Sequence, residues 1–408
     1  MDTTATAPTP AQPADLAAAH AILPWIVGWR RRLHACPEVG LQLPATRGVV
    51  LEALAELGLE PTLDRTTSGI TAVIRGARPG PVVLLRADMD GLPLTEETGL
   101  PFSSAHEGRM HACGHDTHVA MLLGAAKLLL ASRDTLAGSV LLMLQPGEEG
   151  FHGARYMLDE GLLDRVGERA SAAFALHISS QYPAGTIALR PGPFLASADR
   201  IQLTITGRGG HASAPHLALD PITVAAELIV ALQLMVTRRV DIADPVVLTI
   251  TRLEAGTTNN IIPERAVLEG TIRTLSAENR RAMRDRLRQV AEGVCAAHGA
   301  TVSIEIDPGF PVTVNDPGFT ALARGVAEAV MGPGRIIEMS APIMGAEDFS
   351  YVLEQVPGAM CFLGAMPEGA DPETVAHNHS NRVIFDEASM AAGAAVYAAV
   401  ARRVTGGA

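Results

Sequence analysis

Positive charge is in short supply in this chain. Its 408 residues hold 32 Lys and Arg against 44 Asp and Glu, a formal net charge of −12. That balance argues against nucleic acid or an anionic membrane as a partner, because both are bound chiefly through cationic side chains. Cysteine is sparse as well. Cys36, Cys113, Cys295 and Cys361 are scattered without paired spacing, which suits a reducing compartment better than a disulfide framework. No stretch reads as long and apolar enough to span a bilayer. The N-terminus lacks a basic start leading into an apolar core. It reads as an Ala-, Pro- and Thr-rich flexible tail over residues 1–20, not as a signal peptide. Together these absences predict a cytoplasmic protein with no membrane or nucleic-acid partner. The length, with 48% apolar residues, allows two domains with cores of their own.

What is present is an alternation of strand and helix signals. Pro24–His34 and Ala45–Leu57 read as helices, the second stopped by Gly58. Ile70–Ile74, Val82–Leu85, Val140–Leu144 and Ala172–Leu176 read as buried strands, and Thr117–Ser132 as an apolar helix. Such alternation predicts a layered α/β domain whose sheet is largely parallel. Near Asp199 the pattern changes. Ile201, Leu203 and Ile205 alternate with polar residues, so one face of that strand is buried. Asp220 and Pro221 open a helix to about Arg239, and Val246–Thr251 and Val267–Arg273 follow as strands. Ser276 caps a charged helix reaching His298, and Thr301–Ile306 is a last strand. The order is βαββαβ, the ferredoxin-like split motif, here inserted into the first domain. The expected division is 1–198, the insertion at 199–307, and a return to the first domain over 308–408. That return carries helices near Asp316–Met331, Ala346–Gln355 and Glu387–Val404 around a strand at Ala359–Gly364.

The polar chemistry gathers in five places: Arg86–Asp90, His111–His118, Gln145–Glu149, His177 and His377–Ser380. The first four directly follow, or lie just beyond, apolar runs read as strands, and in α/β sheets sites collect at the carboxyl ends of strands. Cys113 and His115 share a loop in which Gly114 allows a tight fold. Glu148 and Glu149 are adjacent, so their side chains diverge. One can ligate while the other takes a proton from an attacking water. Two neighbouring glutamates are ordinarily a solvated pair, and a lone strand-end histidine such as His177 is ordinarily a hydrogen-bonded core residue. Five converging elements weigh against both readings. Thiolate, imidazole and carboxylate together suit a borderline-soft divalent metal, and more than four candidates leave room for two ions. Asp88, with Asp116, can orient a ligand imidazole from behind. In the inserted domain Gly207–His211 lacks the spacing and the Lys-Ser/Thr ending of a phosphate loop, so His211 reads as a polar group brought to a cleft. Asn260 and Arg273 lie at ends of adjacent strands, where Arg can grip a carboxylate in a fork. A turn residue and a surface ion pair are their plain alternatives.

At these residues the chain resembles the aminoacylase/carboxypeptidase family of metal-dependent peptidases and amidohydrolases. It is most similar to the branch of hippurate hydrolase and indole-acetyl-amino-acid hydrolase. RADMDGLP, MHACGHDTH, QPGEEG, GRGGHASAPH, GTTNNIIPERA, EGTIRT, MGAEDFS and HSNRVIFDE occur in the family's order over nearly the whole chain. The resemblance implies two divalent ions, with Cys113 bridging and His115, Glu149, His177 and His379 completing the set. Mn, Zn, Co or Ni would suit those donors. It implies Glu148 as general base, and an inserted domain serving as lid and dimerisation surface. It implies His211 acting across a homodimer on the reacting carbonyl, and Asn260 and Arg273 binding the substrate's carbonyl or carboxylate. Two departures stand out. His379 is followed by Ser380 and Asn381 where the family has a small residue and Pro, although the eight residues from His379 to Glu387 favour His379 over His377. Arg86 stands where other branches carry a histidine, which fits the Cys-containing branch.

The expected activity is amide hydrolysis of small N-acyl amino acids. A dipeptidase or carboxypeptidase of the same family, a thiol hydrolase using Cys113, and a non-catalytic metal-binding protein are the alternatives. Glu148 argues against the last, since binding alone requires no base.

Overall fold

The structure is a computed structural model and describes residues 14–406. It divides into two compact units. The first comprises residues up to Phe194, Val314–Ala341 and Tyr351 onward; the second is Leu195–Thr313 with Pro342–Ser350. The second unit is thus wider than the expected 199–307 and takes in a later segment. Residues 1–13 of the expected tail lie outside the described residues. Its remainder is not a tail, because Ala14–Ala21 is a helix with Ala19 buried.

The first unit is built on an eight-stranded sheet. Its strands run in the order Pro61–Leu63, Ile70–Arg75, Ala137–Gln145, Arg78–Asp88, Ala172–Pro183, Gly358–Met366, Ile187–Leu189 and Ile336–Glu338. The four central strands, from Ala137–Gln145 to Gly358–Met366, are mutually parallel. Val82–Leu85 and Val140–Leu144 are fully buried, as strands covered on both faces must be. The helix His115–Ala131 is apolar beyond His118 save for Lys127, and 14 of its 17 residues are buried, among them Val119, Leu122 and Leu129. Helix Ser389–Val404 is buried from Ser389 to Ala401 and packs against it.

Register decides where the chemistry falls. Asp88 pairs with Gln145, and Arg86 pairs with Ala175, so Asp88 and His177 lie level at the carboxyl side of adjacent strands. His177 does not end its strand as expected; the strand continues to Pro183 because Gly358–Met366 goes on pairing with it. The helix expected over 346–355 shrinks to Ser350–Leu353.

The second unit has the βαββαβ order. Its four antiparallel strands stand in the order Val246–Ala255, Arg265–Thr274, Asp199–Thr206, Thr301–Pro308. Asp220 accepts a hydrogen bond from the backbone N–H of Ile222, and Ser276 from that of Asn279, so both predicted caps form. Helix Pro221–Arg239 corrects one expectation, since by length and composition it could cross a membrane. One face of it, Val224, Leu228 and Leu232, packs against Ile201, Leu203 and Leu268 in the unit's own core.

Tyr397 joins the buried helix to two site strands. Its hydroxyl donates to the Arg86 carbonyl at 2.7 Å and accepts the Leu176 N–H at 2.7 Å. Tyr397→Phe removes the hydroxyl that serves both backbone groups, and loss of a buried hydrogen-bond partner costs about 1–3 kcal/mol. We expect a clear fall in unfolding midpoint by calorimetry or denaturant titration; an unchanged midpoint would show that the two groups find other partners.

Candidate active site and metal centre

The parallel strands deliver three polar side chains to one level, and two loops bring the rest. Cys113 precedes the helix that begins at His115. Gly114 between them has φ +88°, and a Cβ there would lie 2.4 Å from Ile178 Cγ2, so the turn demands glycine on both counts. Cys113 Sγ lies 3.2 Å from His177 Nε2 and 3.3 Å from His379 Nε2. Glu149 Oε1 is 3.2 Å from His379 Nε2. Cys113 therefore belongs to two triads of potential ligands, one with His115 and His177 and one with Glu149 and His379. In each triad the donor atoms lie within 4.8 Å of one another. His377 points elsewhere, 3.2 Å from Gln181 Nε2 on the exposed side.

The hydrogen bonds leave the right lone pairs free. His177 donates Nδ1–H to the Ile178 carbonyl at 2.7 Å. Burial, helped by the charge of His118, lowers its pKa well below the ordinary value, so Nε2 presents a lone pair toward Cys113. Neither buried ring nitrogen of His115 makes a well-formed hydrogen bond; Nε2 lies 3.4 Å from Asp88 Oδ2 and Nδ1 3.3 Å from Asp90 Oδ1. Buried nitrogens so loosely satisfied need an explanation, and an ion is one. His118 is different. Its Nδ1–H donates to Asp88 Oδ1 at 2.5 Å and its Nε2 accepts the Ile178 N–H at 2.7 Å, so both nitrogens are used. The other oxygen of Asp88 pairs with Arg86 at 2.7 Å. Asp88 and His118 thus stand behind the donors as supports, although they lie near enough to His115 to form a third triad.

The electrostatics fit a cation. Burial alone would lower the pKa of His115, yet the charges of Asp88 and Cys113 raise it well above the ordinary value. Hydrogen bonds to Cys113 and Glu149 push His379 up to about 10. The cluster attracts positive charge, and the donors Cys113, His115, Glu149, His177 and His379 suit a divalent ion of intermediate softness.

Residues 84–403 match peptidase family M20/M25/M40. The chain belongs to this family. It is 39% identical over 383 residues to thermostable carboxypeptidase 1 of Saccharolobus solfataricus, covering 92% of this chain and 94% of that one. It is 39% identical over 339 residues to N-acetyl-L-cysteine deacetylase of Bacillus subtilis, covering 83% and 80%. To IAA-amino acid hydrolase ILR1-like 4 of Arabidopsis thaliana it is 37% identical over 383 residues, covering 93% and 85%. Among solved structures, the Bacillus subtilis YXEP protein, described as a dinuclear metal binding peptidase from the M20 family, superposes with a TM-score of 0.81 at 34% identity. That match covers 95% of this chain and 99% of YXEP. A putative aminohydrolase from methicillin-resistant Staphylococcus aureus reaches 0.89 at 28% identity, covering 96% and 98%. The M20 chain is a metal-dependent amide hydrolase.

Several supports in this M20 site had no role assigned from sequence. Asp90 accepts the backbone N–H groups of Glu148 and Glu149, each at 3.0 Å, and so sets the direction of the whole glutamate turn. Its signal was the two-residue spacing from Asp88, just past the end of the strand Arg78–Asp88. His118 could have been found from its i, i+3 spacing to His115 on a helix. Asp116, expected behind a ligand imidazole, turns away instead. Its carboxylate is taken by Arg30 Nε at 2.8 Å and His34 Nδ1 at 2.9 Å, because the first turn of this helix faces helix Leu23–His34. Burial alone would raise the pKa of Asp116; the charges of Arg30 and His34 hold it well below the usual carboxylate range.

His211, Asn260 and Arg273 belong to the second unit. His211 pairs with Ile261 in a two-stranded ribbon and, with Asn260, lines a pocket of about 560 Å³. The backbone N–H of Ser213 donates to His211 Nδ1 at 3.1 Å, which leaves Nε2 to carry the proton and act as a donor. Arg273 is not brought to that pocket. It lies eight residues along a strand from Arg265, on the order of 25 Å away.

His34 generates a pH prediction. Burial would lower its pKa, but the charge of Asp116 and hydrogen bonds to Asp116 and Glu96 raise it to about 9. A raised folded-state pKa stabilises fully below the unfolded value near 6.5 and is lost as pH rises through about 9. The wild type should therefore lose stability across that window, and His34→Gln should be less stable below it with a flatter profile. Unfolding midpoints of both proteins at a series of pH values test this; parallel profiles would refute it.

Proposed function

We propose that the protein hydrolyses the amide bond of N-acyl amino acids, hippurate-like compounds included, with Glu148 as general base and two divalent ions held by Cys113, His115, Glu149, His177 and His379. The observation that carries the reading is the pair of triads meeting at Cys113. The ions, when bound, polarise the amide carbonyl and lower the pKa of a bound water. Glu148 removes a proton from the attacking water and passes it to the departing amine nitrogen. Asp90 fixes the backbone from which the Glu148 carboxylate projects. His211, donating from Nε2, stabilises the negative charge developing on the carbonyl oxygen. Asn260 assists at the carbonyl, and Arg273 grips the carboxylate of the substrate. The relatives named for N-acetylcysteine and IAA-amino acids support this substrate class; the carboxypeptidase relative favours peptide cleavage as the second reading.

Glu148→Gln keeps size and removes the base. It should retain metal and fold while turnover of N-benzoyl and N-acetyl amino acids falls ~10²–10⁴-fold. A chelator should silence the wild type reversibly. Near-normal turnover in a metal-replete Gln variant would remove Glu148 from the role, and chelator-resistant turnover would favour Cys113 as a nucleophile.

A homodimer through the second unit belongs to the same proposal. A small N-acyl amino acid cannot reach from the His211–Asn260 pocket to Arg273 within one chain, whereas two chains can each supply one group. Helix Pro221–Arg239 leaves Val230 (58%) and Leu234 (57%) exposed, and edge strand Val246–Ala255 leaves Leu253 (46%) exposed, an apolar surface that a second copy would cover. Mixing Glu148→Gln with His211→Ala should restore activity in heterodimers, because one of the two sites then holds both wild-type groups. Demonstrated subunit exchange without recovery would place His211 outside a shared site.

A further inference from the structure

The loop carrying His379 has an unusual backbone. His379 has φ +70°, one of two non-glycine residues with positive φ among those described. A side chain in that region is held there by its surroundings. The residue before it does most of the holding. Asn378 uses its entire carboxamide: Nδ2 donates to the Cys113 carbonyl at 3.0 Å and to the Ile178 carbonyl at 3.0 Å, and Oδ1 accepts the Ser180 N–H at 3.3 Å. The assignment of its oxygen and nitrogen is forced, because two carbonyl oxygens require donors and an N–H requires an acceptor. His379 adds its own N–H to the Ala112 carbonyl at 2.9 Å, and Ser180 Oγ donates to the Ala376 carbonyl at 2.9 Å.

One side chain therefore touches all three segments that carry Cys113, His177 and His379. The Ile178 carbonyl is shared: it accepts both Asn378 Nδ2–H and His177 Nδ1–H. Asn378 thus steadies the acceptor that fixes which nitrogen of His177 carries the proton. It also grips the backbone of Cys113 and, by chain continuity, places His379 3.3 Å from the Cys113 sulfur. We propose that Asn378 is a positioning residue that sets the spacing of Cys113, His177 and His379 and thereby the affinity of the site for its second ion. This rests on the metal-site reading above.

The isosteric change Asn378→Asp turns two donors into acceptors facing two carbonyl oxygens, and Asn378→Ser keeps a single, shorter donor. Apo protein titrated with Co²⁺ provides the readout, through the cobalt–thiolate charge-transfer band of Cys113 and competition with a chelator. Wild type should take up two ions with that band. Asn378→Asp should bind the second ion about 10–100-fold more weakly, as loss of a group supporting a ligand typically does, with a diminished or shifted band. The Ser variant should fall between, and it supplies the comparison should the Asp variant not fold. His377→Ala, altered in the same loop but outside the cluster, should match wild type. A band and affinity unchanged in both Asn378 variants, with wild type normal, would overturn the positioning role alone. Equal weakening in His377→Ala would overturn it too, by showing that any loosening of the loop suffices. Wild type taking up cobalt without a thiolate band would overturn the metal-site reading and the positioning role together.

Discussion

A carboxylate buried at the end of a central strand has to be paired, and in this protein Asp88 is paired on both oxygens. Arg86 holds one and His118 the other. The consequence runs outward through the site. With Nδ1–H committed to Asp88, His118 can only accept at Nε2, and what it accepts is the backbone N–H of Ile178. The carbonyl of the same residue takes the proton-bearing nitrogen of His177. The orientation of His177 toward Cys113 therefore descends from one buried anion through a chain of bonds in which each partner has a single remaining role.

The same logic governs the glutamate turn. Asp90, two residues beyond Asp88, receives both amides of the Glu148–Glu149 turn. The two carboxylates converge, each with an oxygen within 4.8 Å of the other and of a His115 ring nitrogen; Glu149 also joins the Cys113–His379 triad, and the proposed mechanism gives the proton transfer to Glu148. The site is then a set of donors on a stiff frame: parallel strands below, two largely buried helices behind, and a glycine at 114 that no other residue could replace without striking Ile178. The small apolar cluster of Met110, Ala112, Ile178, Val383 and Phe385 underlies the loops that carry Cys113 and His379. It ties ligand geometry to packing, so these loops have little freedom of their own.

The two units use opposite strategies. The first hides its parallel sheet on both faces. The second covers one face of an antiparallel sheet with two helices and leaves apolar residues such as Val230 and Leu234 on its outer surface. An exposed apolar stripe beside an edge strand invites a partner. The proposed homodimer supplies one, and it also reconciles the distance between Arg273 and the His211–Asn260 pocket.

Much of this was legible in the residues alone. Period-two and continuous apolar runs marked the main strands, capping residues such as Asp220 and Ser276 marked helix starts, and the clustering of His, Cys, Asp and Glu after buried runs marked the site. Local chemistry writes those signals, because backbone hydrogen bonding and side-chain periodicity act over a few residues. Tertiary structure decided the rest. That Asp116 belongs to Arg30 and His34, that Asp90 aims the glutamates and that Arg273 stands far from Asn260 depend on partners distant in the chain. The strand holding His177 runs on for the same reason, since only pairing with Gly358–Met366 extends it. Sequence named the donors available; the register of the sheet and the pairing of buried charge selected among them.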